Sequence, residues 1–139
     1  MTKMQQAEKE EFLAGLHVGV LGLNDPGAGP LTVPIWYDYT PGQRLWVLTG
    51  ENSRKAKLIN QGTRLSLAAQ SEDLPYKYVS IEGVVEEITP TTTAELEAMA
   101  IRYLGETQGK AYASASSAEG QITVWVKPER WLAVDYAQS

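Results

Sequence analysis

The chain has 139 residues, 43% hydrophobic and 21% charged, a balance that predicts one globular domain over residues 1–139. Its net charge of −5 and pI near 4.9 argue against nonspecific attraction to nucleic acid or to an anionic membrane. The absence of cysteine excludes disulfides, thiolate metal sites and cysteine nucleophiles, and a single histidine, His17, cannot build the usual His-rich zinc site, so no metal is expected.

No apolar run reaches membrane-spanning length and the polar start MTKMQQAEKEEF is not a secretory signal, so a cytoplasmic protein is expected. Thr2 with Gln5 forms a capping-box pattern, and Met4, Ala7, Phe12 and Leu16 give an imperfect apolar stripe, predicting a helix over 3–15 that ends at Gly15. Residues 17–23 (HVGVLGL) read as a strand approached closely by another backbone or a ligand. The turn NDPGAGP then leads into a second strand over 31–39 (LTVPIWYDY), where Pro34 cannot donate to a ladder and marks an edge or a bulge. TPGQ turns the chain into a third strand over 44–49. Residues 64–70 (RLSLAAQ) alternate as a half-buried strand, and after the loop SEDLP comes a long strand over 76–88 (YKYVSIEGVVEEI), bent at Gly83.

Thr92 with Glu95 and the stripe Leu96, Met99, Ala100 and Tyr103 predict a helix ending at Gly105. The small, polar segment ETQGKAYASASSAEGQ reads as a mobile loop or lid. Two closing strands, 122–127 and 131–136, are expected on either side of a turn at 127–130. Six or seven strands in hairpin order, with helices confined to three places, predict a mainly β, antiparallel barrel with helical decorations.

Between residues 44 and 62 lies RLWVLTGENSRKAKLINQG, an apolar strand, a polar break and a short helical pattern. Ser53 is a good N-cap, and Asn60, Gln61 and Gly62 form a helix stop. Arg54, Lys55 and Lys57 fill the first turn, where the helix dipole is already positive and each cation forgoes about 0.3–1 kcal/mol. In an acidic chain that placement points to an anion at this end, because backbone N–H groups flanked by Lys and Arg bind phosphate well. The competing reading is a solvated helix start, and Lys55 and Lys57, two residues apart, diverge on a regular helix.

The order helix, hairpin, LTVPIWYDYTPGQRLWVLTG, SRKAKLIN, RLSL, YKYVSIEGVVEEI and a closing PERWLAVDY resembles the FMN-binding split β-barrel family related to pyridoxamine 5′-phosphate oxidase. Within it the chain looks most like the small actinobacterial flavin- and deazaflavin-dependent oxidoreductases. The resemblance implies a homodimer with a cofactor groove between subunits, the cofactor being F420 or, alternatively, FMN. It assigns the phosphate to Lys55 and Lys57, with Ser53 and Arg54 in support, and the ribityl chain or ring to Thr49 and Gly50. It sets Val33, Pro34, Ile35 and Trp36 beside the ring plane and lets Tyr76 and Tyr78 approach from the other subunit. The chain lacks the extended C-terminal segment with which the vitamin-making oxidases bind pyridoxal, so oxidation of pyridoxamine phosphate itself is not expected.

Flavins and deazaflavins carry hydride chemistry themselves, so the lack of an acid or thiol cluster does not oppose an enzyme acting on a small planar or conjugated substrate. No catalytic residue is assigned; Tyr76, Tyr78 and Tyr112 are candidate proton sources. His17 reads as a structural hydrogen-bonding residue. Trp36, beside Pro34, is the indole best placed to meet a ring, whereas Trp46, Trp125 and Trp131 read as core or interface. The rivals are a non-catalytic cofactor or haem carrier or sensor using the same groove and, more remotely, a nucleic-acid-binding barrel.

Overall fold

The computed structural model describes residues 4–137. Its centre is one antiparallel seven-stranded sheet: β1 (Gly19–Leu23), β2 (Leu31–Ile35), β3 (Tyr37–Tyr39), β4 (Leu45–Gly50), β5 (Arg64–Gln70), β6 (Lys77–Pro90) and β7 (Gln121–Asp135). The strand order is β2-β1-β5-β6-β7-β4-β3, so the two edge strands, β2 and β3, are consecutive in sequence with Trp36 alone between them. The sheet must therefore curl until its edges meet. The result is a barrel closed at one place by the covalent chain instead of by a ladder, a split barrel.

This corrects the expected single strand over 31–39. Leu31 to Ile35 pair with β1, Gly19 opposite Ile35, whereas Tyr37 to Tyr39 pair with β4, Tyr37 opposite Val47. One strand cannot keep both partners, and the change falls at Trp36. Pro34 sits on the edge strand β2, where its missing N–H costs no ladder bond on the free side.

The closing strands are likewise one: β7 runs unbroken from Gln121 to Asp135, with no turn at 127–130. Pro128 faces Gly83 while Arg130 faces Glu82, so Glu129 is an extra residue, and Glu86 is the corresponding extra residue of β6. The extra residue Glu129 takes up the irregularity while Pro128 keeps its place opposite Gly83, so a sequence suggesting a turn remains a strand. The bulges also bend the strand pair where a Cβ on Gly83 would lie 2.7 Å from the Lys127 carbonyl oxygen.

Four helices decorate the barrel. The first, α1 (Gln6–Ala14), starts after Gln5, whose N–H is held by Glu8 at 3.2 Å, and plugs the barrel with the fully buried Leu13; the Thr2 of the expected cap lies outside the described residues. The cationic helix α2 (Arg54–Lys57) is a single turn capped by the Ser53 hydroxyl, shorter than the pattern to Gly62 suggested. Asn60 to Gly62 turn the chain into β5 instead, with Gly62 donating to Val85 O at 2.7 Å.

After β6, α3 (Thr93–Leu104) is closed by the expected reciprocal bonds of Thr92 and Glu95, 3.0 and 3.1 Å, and buries Leu96, Met99 and Ala100. The segment expected as a loop or lid is a helix over most of its length, α4 (Glu106–Ala115). Its small residues are poor evidence of a helix in isolation but permit very close packing. A Cβ on Gly109 would lie 2.5 Å from the Ile101 Cα, so tertiary contact with α3 secures what propensity leaves undecided. The barrel interior is aliphatic, with Leu21, Leu45, Leu67, Ile81, Val124 and Val126 buried. No helix among the described residues is long and apolar enough to cross a membrane.

Gly83→Ala is expected to lower stability by about 1–3 kcal/mol, because backbone of β7 has to move away. Gly29→Ala, with nothing within 4 Å, is expected to stay near neutral. Urea unfolding of the two variants checks the contrast.

Candidate functional site

The partner change at Trp36 leaves an opening, and beside it lies a cavity of about 430 Å³. Its walls come from several separate parts of the chain. Pro34, Ile35 and Trp36 form one side, and Thr49 and Gly50, at the end of β4, form another. The α3 residues Leu96, Met99 and Ala100 supply an apolar wall, and Tyr112 of α4 leans in from the rim. Lys55 is the single charged side chain lining the cavity among the described residues. A volume in the range of small-molecule sites, mostly apolar walls and one cation make a site suited to an anionic ligand with a flat apolar part.

Trp36 is held firmly. Its indole stacks on Tyr103 with centroids 4.8 Å apart and planes 6° apart, and Tyr112 lies 6.0 Å away at 54°. The β4 end is tied to α2 through hydroxyls: Thr49 Oγ1 is 2.9 Å from Ser53 Oγ, which accepts from Ala56 N at 3.1 Å. Ser53 N donates to Gly50 O at 3.0 Å, and Glu51 N to Gly120 O at 2.8 Å, fixing the polar turn between strand and helix. Lys55 thus projects from a turn tied down at Glu51, Ser53 and Ala56.

The sequence-selected residues separate into groups. Pro34, Ile35, Trp36, Thr49, Gly50 and Lys55 come together around the cavity. Ser53 stands behind Thr49 as cap and brace. Arg54 is ion-paired to Asp25 in the loop between β1 and β2, and Lys57 is exposed and outside the lining. Val33 is partly buried against the barrel core. Tyr76 is exposed, and Tyr78 lines a second, larger hollow of about 700 Å³ with Leu16, His17, Val18 and Val20. Val18 and Pro34 border both hollows.

Residues not foreseen as lining are Val18, Leu48, Leu96, Met99, Ala100 and Gln121. The stripe of α3 was legible as apolar, but that it faces a cavity and not the core depends on where the barrel opens. His17 lies outside the cavity lining; its ring stacks on Phe12 at 4.4 Å, and Nε2 is 3.1 Å from Phe12 O. Burial, assisted by the nearby charge of Arg102, pushes its pKa below the ordinary histidine value. Among the described residues no group of three His, Asp or Glu side chains is placed to hold a metal.

One region of the outer sheet face carries exposed apolar residues. Val20, Ala68, Ser80 and Leu132 stand opposite one another across β1, β5, β6 and β7, and Tyr78 faces Gln70 and Val134 in the next row. Leu16, Val18 and Leu132 are 59%, 53% and 62% exposed.

The sequence profile of the family described as pyridoxamine 5′-phosphate oxidase matches residues 5–135. Among proteins of curated function, none matches the chain significantly. Among solved structures, an F420 reductase is similar with a TM-score of 0.74 at 23% identity, covering 88% of this chain and 94% of that one. A conserved hypothetical protein from Mycobacterium tuberculosis reaches 0.76 at 25% identity over 96% and 86% of the two chains. An FAD and haem binding protein from Mycobacterium smegmatis reaches 0.68 at 13% identity over 96% and 72%. These likenesses fix the split-barrel architecture.

A histidine kept neutral by burial destabilises the fold once the unfolded chain gains the proton that the fold resists. Stability is therefore expected to fall as pH drops below about 6.5, the ordinary histidine value. Thermal midpoints measured from pH 8 to pH 5 check this, and His17→Asn should flatten part of the slope.

Proposed function

The chain belongs to the pyridoxamine 5′-phosphate oxidase family, and from that premise we propose that it is a cytoplasmic oxidoreductase binding a flavin or deazaflavin, F420 in preference to FMN, in the cavity at Trp36. The observation that carries this reading is the pairing of the Trp36 indole and an apolar wall with a lone cation in one cavity of about 430 Å³. The residues present fit such a group. Lys55 and the braced turn after Gly50 offer donors to a phosphate, with Ser53 ordering that turn. Thr49 and Gly50 adjoin the chain linking phosphate to ring, and Pro34, Ile35 and Trp36, with Val33 behind them, flank the ring plane.

Arg54 and Lys57 complete the basic setting. Arg54 would reach a phosphate by releasing Asp25, and Lys57 would contribute from outside the lining. Bound there, the cofactor supplies a ring that accepts or donates hydride. The protein holds the phosphate, orients the ring against Trp36 and excludes water with the Leu96, Met99 and Ala100 wall. The substrate is a small planar or conjugated molecule, which the flat apolar walls favour.

The same reading makes the protein a homodimer. A second copy seated on the outer sheet face would cover Leu16, Val18, Val20 and Leu132, apolar side chains that are otherwise exposed. Because Val18 and Pro34 border both hollows, that copy would also wall the cavity, and it would bring Tyr76 and Tyr78 of the sheet margin toward it.

Titration of cofactor-free protein with F420 and FMN side by side tests the site. Micromolar or tighter binding of one is expected, and Lys55→Ala should weaken it by about 1.5–3 kcal/mol, with Lys57→Ala weaker in effect. Binding without cofactor-dependent reduction of any acceptor would favour the carrier reading; binding of neither would remove both. For the dimer, sedimentation velocity should show a species of twice the chain mass that dissociates when Val20 and Leu132 are replaced together by Glu.

A further inference from the structure

The β1–β2 ladder ends with Gly19 opposite Ile35, and continuing its register would set His17 opposite Tyr37. That pair is not zipped. The Tyr103 hydroxyl stands between them, accepting from Tyr37 N at 3.1 Å and donating to His17 O at 2.6 Å. One O–H with two acceptor lone pairs suits this double task. A side chain from α3 has thus been spliced into the ladder at the point where the barrel splits.

The neighbouring residue secures the same place. Arg102 donates to Tyr37 O at 2.9 Å and to Gly15 O at 2.7 Å, and its guanidinium lies 3.3 Å from Asp38. The last turn of α3 therefore occupies backbone groups on both sides of the opening. The earlier turns of the same helix, at Leu96, Met99 and Ala100, wall the cavity. Meanwhile the Tyr103 ring covers one face of Trp36 in a nearly parallel stack.

We propose that Tyr103 is a positioning residue of the site: its hydroxyl holds the split open between His17 and Tyr37, and its ring sets the plane of the Trp36 wall that receives the planar part of the ligand. Tyr103 does not itself line the cavity, so it acts through Trp36. The proposal rests on the cofactor reading above for what the wall receives, but the splice itself is independent of it.

The test uses the full chain with Tyr103→Phe, which keeps the stack and removes the hydroxyl, and Tyr103→Leu, which removes both. In Tyr103→Phe the Tyr37 amide should exchange with solvent faster than in the parent while the Val47 amide is unchanged. The Trp36 emission, isolated by difference from Trp36→Phe, should shift in Tyr103→Leu. With F420 and FMN as probes, Tyr103→Phe should bind roughly 3- to 10-fold more weakly and Tyr103→Leu more weakly still, with a displaced absorption band of the bound cofactor. Parent-like exchange of Tyr37 in Tyr103→Phe overturns the splice, and parent-like affinity and absorption in both variants overturn the positioning role. Should the parent bind neither cofactor, the cofactor reading falls, and Tyr37 exchange with Trp36 emission decides the splice alone.

Discussion

Everything in this structure depends on a change of partner between two consecutive strands, β2 and β3. Residues 31–39 must pair with β1 over their first half and with β4 over their second, and the peptide at Trp36 is where they let go of one and take the other. Backbone groups at such a crossing have no ladder to join and need other partners if they are buried. They find them on α3, through Tyr103 and Arg102. A barrel that closed completely would bury its apolar wall in the core; one that closes through a single residue leaves that wall facing a cavity.

Electrostatics follow from the same geometry. Three cations adjoin one short helix in a chain of net charge −5, yet they are not equivalent once folded. Arg54 is engaged by Asp25, Lys57 faces solvent, and Lys55 alone reaches the cavity lining. With α2 only one turn long, its dipole is small, and Lys55 owes its significance to position: a single cation against apolar and aromatic surface is less screened than one among many on an open face. The hydroxyl chain from Thr49 through Ser53 to Ala56 N keeps the turn beneath it in place.

The bending of the sheet is equally local in origin. The opposed extra residues Glu86 and Glu129 let β6 and β7 run long and still curl, and Gly83 supplies the clearance at their closest approach. The helical pair α3 and α4 uses a second close approach at Gly109, which brings Tyr112 over the cavity rim. The first joins residues distant in sequence and the second joins consecutive helices, and both select glycine because no side chain fits.

The strand periodicities, the turns NDPGAGP and TPGQ, the Thr92–Glu95 cap and the Ser53 cap were all legible in the amino-acid sequence, because each is a local preference of a few neighbouring residues. The cationic turn and Trp36 beside Pro34 were legible too, as chemistry without location. Where local signals conflicted with distant contacts, the contacts prevailed: Pro128 suggested a turn but pairs opposite Gly83 beside a bulge, and the small residues of α4 suggested a loop but pack as a helix on α3. Likewise no pattern within LTVPIWYDY reveals that the strand changes partner at Trp36, since that is set by the closure of the whole sheet. Most of the strands, the capped helix starts and the residue types able to meet an anion and a planar ring could be read from the amino-acid sequence. That Lys55 and not Arg54 faces the cavity, and that Tyr103 bonds Tyr37 and His17 beside it, follow from long-range packing, because the first depends on Asp25 taking Arg54 and the second on which backbone groups the barrel leaves unpaired where it splits.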